Sequence, residues 1–553
     1  MLPNWAPASL RALQGYSITS FAHDALSGIT VGLVALPLAM AFAIASGVSP
    51  QSGIYCAIVT GFLISALGGS RFQIGGPTGA FVVVVAGIVA QYGISGLFMC
   101  TMMAGVILVL LGVTGMGAAV DYLPRPVVVG FTNGIAVLIA STQIKDFLGL
   151  QIAEVPAEFA ARMSTLGSHL QTLSWQAATL ATAAFVLILV LRRLYPRVPG
   201  TVIALLGGTV AVVVSGLDVE TIGSRFGGIP SGLPSPHIPT FELGLIPILI
   251  RPALTVAMLG AIESLMSAVV ADRMSGDRHN PNTELVAQGI ANIASPVFGG
   301  LPATGAIART ATNIRSGAHS PVSGMIHAVT LLAVLLVAAP LARFIPMPVL
   351  AAILLVVAYN MGEWHEIPKL LRLTKTDISV WLVTFALTVF ADLTLAVEVG
   401  MILAALLFIR RVSNTTTVSM VTPEYVEAGR SHILQDKRIP PNVAIFRIHG
   451  PFLFGMTDKI SIITDQIATL PPIVIVRLRN MTAIDATGIR ALEDLAEQLR
   501  QSGRTLLLCG AREQPAAVME AAEFHRHVGQ ENICKDIEAA LARAGAISGP
   551  RAA

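Results

Sequence analysis

The sequence predicts an α-helical membrane protein. Its plan is about fourteen segments in two inverted seven-segment repeats, with half-helices at segments three and ten, followed by a small α/β domain. Three observations predict it. Charged residues make up 12% of the 553 positions and hydrophobic ones 54%, against about 25% charged in an ordinary soluble chain. So few charges cannot cover a water-facing surface. Apolar runs recur from residue 24 to 411, several long enough to cross ~30 Å of hydrocarbon as helices. Charge then returns: about a fifth of residues 441–553 are charged, against about a tenth before them.

The apolar segments read in order as 25–49, 52–68, 77–92, 95–115, 126–148, 173–191, 199–216, 246–271, 284–298, 303–315, 320–340, 345–361, 376–391 and 393–410. The segments 77–92 and 303–315 are short, and Gly and Pro introduce each. Gly76-Pro-Thr-Gly-Ala recurs as Pro302-Ala-Thr-Gly-Ala, so Thr78 and Thr304 open the third and tenth segments. Seven segments apart, they belong to elements of opposite topology, the pattern of inverted repeats with interrupted helices. The bland reading is chance recurrence of small residues in membrane helices. With the N-terminus inside, inner loops hold Arg71, Arg125, Arg192, Arg193, Arg273, Arg278 and Lys369, while outer loops hold few cations, such as Arg162, Arg225 and Arg343. The positive-inside rule is met and places the C-terminal domain in the cytoplasm.

The chain divides into a cytoplasmic tail (1–23), a transmembrane domain (24–411), a polar linker (412–442) and the α/β domain (443–553). In the last, 443–448, 473–478 and 505–509 read as strands and 487–502 and 535–544 as helices, an alternation that covers a small sheet with helices. A net charge of +3 is too small to suggest nucleic-acid binding. The four cysteines have no metal or disulfide spacing. No cleaved signal peptide is expected. No phosphate-binding Gly-rich loop, zinc motif or nucleophile elbow is present, so no enzyme, metal or cofactor is expected.

The chemistry concentrates at the short helices. A helix N-terminus carries unpaired N–H groups and about half a positive charge. Two such ends facing one another make an anion site with no side chain at all. Pro77 and Pro302 suit the first turns, Gly79 and Gly305 admit a ligand close to the backbone, and Thr78 and Thr304 offer hydroxyls. Arg309 lies inside the second short helix; a guanidinium in the membrane marks a substrate pathway or a structural partner. Glu263 sits mid-segment, with Ser267 four residues on. It reads as a coupling-ion site for H⁺ or Na⁺, or as the ion-pair partner of Arg309. Pro37 kinks the first segment near Phe42, and Gln143, Lys145 and Asp146 read as structural or gating residues.

These residues resemble a known family. The stretch from Asp24 to Ala43, Gly75-Gly-Pro-Thr-Gly-Ala-Phe, Gly260-Ala-Ile-Glu-Ser-Leu and Ala303-Thr-Gly-Ala-Ile-Ala-Arg-Thr resemble signatures of the sulfate permease (SulP) family. Ile484-Asp-Ala-Thr-Gly resembles the core loop of the STAS domain that ends such proteins. Gln143-Ile-Lys-Asp-Phe-Leu-Gly-Leu-Gln and Ala257-Met-Leu-Gly-Ala-Ile-Glu-Ser-Leu look closest to the bacterial C4-dicarboxylate branch. The resemblance implies core and gate parts moving as an elevator, a homodimer, and a place in the bacterial cytoplasmic membrane. It implies an anion pocket of Leu38, Phe42, Thr78, Gly79, Ala80, Thr304, Gly305, Ala306, Ala308 and Arg309. It implies a coupling-ion site of Glu263, Ser267, Ala303 and Thr304. Leu38, Ala306 and Ala308 depart from polar residues of some relatives, which shifts binding onto backbone amides and Arg309. Ala486 stands where regulatory relatives carry a phosphorylated Ser, which leaves Asp485 and Thr487 as the regulatory candidates, Thr487 chiefly as a helix cap.

The expected function is proton-coupled uptake of C4-dicarboxylates. Sulfate or bicarbonate transport and anion exchange are the alternatives within the class. A membrane-anchored STAS scaffold that binds a nucleotide or a protein is the alternative of another class.

Overall fold

The computed structural model describes residues 5–12, 16–117, 124–153, 155, 156, 158–195, 198–230, 232, 236, 239, 242–391, 393–420, 439–454 and 457–548. Most of the expected linker, 421–438, lies outside them. The first segment, Ile18–Ala45, starts earlier than the sequence suggested because Ser17 caps it, its side chain accepting from Ser20 N at 3.1 Å. Part of the expected tail is therefore helix. Pro50–Leu67 is the second segment. The third and fourth form one hydrogen-bonded run, Gly79–Val113, broken at Gly93. Gly93 has φ 68°, a left-handed conformation that glycine adopts without steric cost.

Segments five to seven are Arg125–Leu148, Trp175–Leu194 and Gly200–Ser215. Eight and nine are Ile246–Ser275 and Pro281–Val297. The tenth, Ile307–Arg315, has only 9 residues. Val322–Ala342, Met347–Met361, Lys375–Phe390 and Leu393–Thr415 complete the set. Eight helices among the described residues are long and apolar enough to cross a membrane. Segments one to four pack against eight to eleven, and five to seven against twelve and thirteen. The two groups meet more thinly, the first and third segments touching the fifth, seventh and twelfth. These are the expected core and gate.

The tightest core contact joins segments four and nine. A Cβ on Gly105 would lie 2.7 Å from the Gly289 carbonyl, and one on Gly289 would lie 2.5 Å from that of Gly105. Small residues let backbones approach where lipid removes the hydrophobic drive between helices. Loop ends are held by buried carboxylates. Asp24 accepts from His319 N at 2.6 Å and Ser320 N at 3.0 Å. Glu284 accepts from Gly69 N at 2.9 Å and Ser70 N at 3.1 Å.

The C-terminal unit carries one five-stranded sheet: β3 (Thr417–Met420), β4 (Val443–Phe452), β5 (Ile473–Ile484), β6 (Thr505–Cys509) and β7 (Ile533–Cys534), in that order. The label β1 is kept for Gly75–Gly76 and β2 for Thr304–Gly305 in the membrane unit. Within the five-stranded sheet only β3 is antiparallel to its neighbour. It lies in the stretch read as linker; two of its four residues, Thr417 and Ser419, are polar, but Val418 is buried in the sheet core and fixes the edge. Helices Ala486–Gln501 and Glu513–Ala521 cover one face, and Ile537–Ser548 lies on the other. Asp485, not Thr487, caps the first of these helices, accepting from Gly488 N at 2.9 Å and from Phe454 N at 2.9 Å. Thr487 is exposed.

Leucine at Gly289 must force segments four and nine apart, at a cost of about 3 kcal/mol. The melting temperature of the Gly289→Leu protein in detergent is expected to fall by several degrees. Gly207→Leu, where an added Cβ meets nothing, is the control expected to leave it unchanged.

Candidate functional site

The two short helices meet head to head. Gly75 pairs with Gly305 and Gly76 with Thr304 in an antiparallel ribbon of two residues a side. The chain turns from this ribbon into the third segment at Thr78 and into the tenth at Ala306, and neither N-cap side chain bonds its helix. The first-turn N–H groups that follow, on Gly79 and Ala80 and on Ile307 and Ala308, have no partner within their helices by construction. Both helix dipoles present positive ends to the same region.

Apolar side chains wall this region. A Cβ on Gly79 would lie 3.3 Å from the Phe42 ring and 3.3 Å from Ile139 Cδ1, with the Met361 sulfur closer still. These neighbours come from the first, fifth and twelfth segments, so the site sits on the seam between core and gate. Leu38, Phe42, Ala80, Ala303 and Ala306 are buried, and Ala308 is exposed.

Segment eight supplies the polar side. Thr78 Oγ1 donates to Glu263 Oε2 at 2.9 Å. Thr304 Oγ1 lies 2.7 Å from Ser264 Oγ and donates to the Gly260 carbonyl at 3.0 Å. Gly305 N donates to Ser264 Oγ at 3.1 Å. Ser264 is thus the residue of this helix that holds the ribbon. Ser267, expected beside Glu263, instead donates to Thr310 Oγ1 at 3.1 Å, and Ile74 N donates to the same oxygen at 3.1 Å. Ser267 is a tie between segments eight and ten.

Arg309 is buried and donates through Nη2 to the Pro77 carbonyl. Its Nη1 has no partner among the described residues. It makes no ion pair with Glu263: the carboxylate takes Thr78 and the guanidinium takes backbone. Arg309 straps the tenth segment to the chain entering the third and brings a full positive charge beside the ribbon.

Two residues absent from the sequence reading complete the frame. Asn292 pairs with both backbone groups of Ala303, its Oδ1 accepting at 2.8 Å and its Nδ2 donating at 2.9 Å. Gln73 donates to Glu284 Oε1 at 2.8 Å and packs against Gly305. A polar residue inside a membrane segment was the available signal for Asn292 and Glu284. Ser264 had a subtler one, sitting one turn from Gly260 on the stripe that ends in Ser267 and Ala271.

The polar outer end of the fifth segment lies elsewhere. Arg225 grips Asp146 at 2.6 and 3.1 Å and also bonds Glu220. Lys145 donates to the Ile152 carbonyl at 2.6 Å. Burial alone would raise the Glu220 carboxyl, but Arg225 holds it below the usual carboxylate range. Among the described residues no group of His, Cys, Asp and Glu is arranged to hold a metal.

The model of the sulfate permease family matches residues 21–384, and that of the STAS domain matches residues 435–540. The chain belongs to the sulfate permease family. It is an anion transporter and not an enzyme. A putative sulfate transporter of Bacillus subtilis strain 168, YvdB, is 42% identical, covering 94% of this chain and 97% of its own. The bicarbonate transporter BicA of Synechocystis is 30% identical, covering 95% of each. The murine Slc26a9 anion transporter, solved in an inward-facing state, matches with a TM-score of 0.87 at 19% identity, covering 98% of this chain and 94% of that one; this last likeness shows the fold alone.

These relatives are named for sulfate and bicarbonate, which corrects the expected dicarboxylate branch. In the stretch from Gln143 that suggested it, Lys145 and Asp146 are taken up by internal bonds to the Ile152 carbonyl and Arg225.

Replacing Ser264 with Ala strands the Gly305 N–H, at about 1–3 kcal/mol. Uptake by folded Ser264→Ala protein is expected to drop by about tenfold or more, as read by tracer flux in vesicles. Because the Glu220 carboxyl is depressed in the folded state, its contribution is full above the usual carboxylate value and is lost as pH falls through the folded one. The wild-type melting temperature should therefore fall on the acid side, and Arg225→Gln should flatten that slope.

Proposed function

We propose that the chain imports a small inorganic oxyanion, sulfate or bicarbonate, together with a proton carried on Glu263. The observation that supports this is the bond from Thr78 to Glu263 at the N-terminus of the third segment. Among the described residues Glu263 has no cation beside it, and Thr78 is the one hydrogen-bond donor it has.

A hydroxyl has one hydrogen to give. While Glu263 is ionised, Thr78 spends that hydrogen on the carboxylate, and the carboxylate repels an incoming anion. Protonation reverses both effects. The Glu263 O–H donates to the Thr78 oxygen, and the Thr78 hydrogen turns to the anion at the helix ends. Anion and proton then raise each other's affinity, as linkage requires. Arg309, whose Nη1 has no partner among the described residues, adds positive charge beside the helix ends. Alternating access follows from the seam: the core carries both helix ends, while Ile139 and Met361 belong to the gate.

The names of the relatives, YvdB and BicA, support an inorganic oxyanion over a dicarboxylate. The homodimer, the cytoplasmic STAS domain and the bacterial inner membrane are part of the same proposal.

The test is uptake of labelled sulfate, bicarbonate and fumarate into proteoliposomes under imposed proton or sodium gradients. Glu263→Gln, a neutral mimic of the protonated acid, is expected to keep anion exchange and to lose accumulation driven by protons. Full proton-driven accumulation in that variant, sodium-driven accumulation in the wild type, or fumarate transported in preference to both oxyanions, would contradict the proposal.

A further inference from the structure

The sheet of the C-terminal unit brings together two cysteines that the sequence keeps 25 positions apart. Cys509 ends β6 and Cys534 ends β7, and the two are register partners on adjacent parallel strands. Register partners project to the same face of a sheet. The packing agrees. Cys509 belongs to the apolar cluster that β4, β5 and β6 form with Ile537, Ala540 and Ala544 of the C-terminal helix, and Cys534 packs against that cluster. Both are free thiols, Cys509 buried and Cys534 half-buried. The other two cysteines, Cys56 and Cys100, are buried in separate segments of the membrane unit.

Neighbouring strands lie about 4.8 Å apart, inside the window of about 4.4–6.8 Å that the Cα atoms of a disulfide occupy. The Cβ atoms of a bonded pair sit closer, at about 3.8 Å, so closure asks one strand to shift by about 1 Å. An inner strand resists such a shift. β7 is built to allow it: it has two residues, it ends the sheet, and its register with β6 is two pairs long. Past Cys509 the chain stays in contact, Gly510 N donating to the Cys534 carbonyl at 3.2 Å. Past Cys534, Asp536 caps the C-terminal helix by accepting from Ala539 N at 2.9 Å. A bond between the two sulfurs therefore ties the start of that helix to the sheet. A disulfide held off its preferred geometry is also one that thiols reduce readily.

The two thiols differ in reach. Burial pushes Cys509 up to about 12, against the pull of Arg477 opposite it on β5. Burial raises Cys534 as well, and Arg543 of the C-terminal helix opposes the rise. Cys534 is the thiol that a reagent in solution can meet, and Cys509 is placed to act second.

We infer that Cys509 and Cys534 form a reversible disulfide, a modification site for small organic disulfides such as oxidised glutathione. Cys534 gives its proton to solvent and its sulfur attacks the small disulfide. That S–S bond breaks, one glutathione leaves as a thiol, and a mixed disulfide remains on Cys534. Cys509 then loses its proton to solvent and attacks the Cys534 sulfur. The mixed disulfide breaks, and the second glutathione leaves and takes up a proton. The two cysteines are oxidised by two electrons, and the small disulfide is reduced to two thiols. The pair uses no residue of the transport site, so it stands or falls independently of the transported anion.

The test is peptide mapping by mass spectrometry of the full-length protein in detergent. The protein is equilibrated with glutathione buffers of rising oxidised fraction and alkylated in denaturant. A peptide pair joined through Cys509 and Cys534 is expected to grow with the oxidised fraction and to vanish when the buffer is made reducing again. In Cys509→Ala no thiol is left to displace glutathione, which is expected to accumulate on Cys534 about tenfold or more above wild type. In Cys534→Ser the buried Cys509 is expected to stay unmodified. The wild-type map carries the test even where a variant fails to fold. Full alkylation of both cysteines in the most oxidising buffer, a bond from either to a different cysteine, or a linked pair that survives the reducing buffer would overturn the inference. Equal glutathione on Cys534 in wild type and Cys509→Ala would overturn it too, by showing that Cys509 does not reach the mixed disulfide.

Discussion

The structure of the membrane unit depends on four residues of extended chain. The ribbon of Gly75 and Gly76 with Thr304 and Gly305 is non-helical backbone between membrane helices, where each unpaired N–H or C=O costs several kcal/mol. Such backbone survives only if it is buried in protein and every group finds a partner. The ribbon satisfies part of that need within itself. The remainder falls on side chains from neighbouring segments, and this explains why so many polar residues converge on one place.

Those side chains form a frame with distinct tasks. Ser264 and Asn292 hold the strand entering the tenth segment, by Gly305 N and by both backbone groups of Ala303. Thr310 takes Ile74 N from the opposite strand. Glu284, through Gln73, braces the turn after the second segment. Arg309 crosses from one half-helix to the approach of the other. With the backbone held behind the ribbon, the donors left among the described residues are the first-turn N–H groups ahead of it and Arg309 Nη1. The proposed anion site is the region these donors face. Thr78 and Glu263 are the exception: their bond joins the site to the eighth segment and gives it a titratable partner.

Much of this was legible in the sequence. Composition gave the membrane class, the Gly-Pro punctuation gave the two half-helices, and the repeated Thr-Gly-Ala element, preceded each time by a Pro, gave their relation. Glu263 and Arg309 stood out because charge inside a membrane segment is costly. What was not legible is which residue meets which. Helical spacing placed Ser267 on the face of Glu263, yet Ser264 holds the ribbon while Ser267 meets Thr310, because which residues of the eighth segment the tenth touches is set by tertiary contact and not by spacing. Arg309 and Glu263 looked like a pair by charge, but backbone and hydroxyl partners lay nearer. In the STAS domain the strands of apolar runs were clear. The edge strand Thr417–Met420 was not, since it is only four residues long, half of them polar, and its pairing with β4 depends on tertiary contact.

The central claim is that the anion sits between the two opposed helix ends. A structure determined with selenate in place of sulfate tests it most directly, because selenium can be located by its anomalous signal. The account predicts a selenium peak about 4 Å from the N–H nitrogens of Gly79, Ala80, Ile307 and Ala308, the separation set when selenate oxygens accept at about 3 Å, beside Phe42. A membrane-domain peak away from both helix ends, with that space filled by side chains, would contradict it.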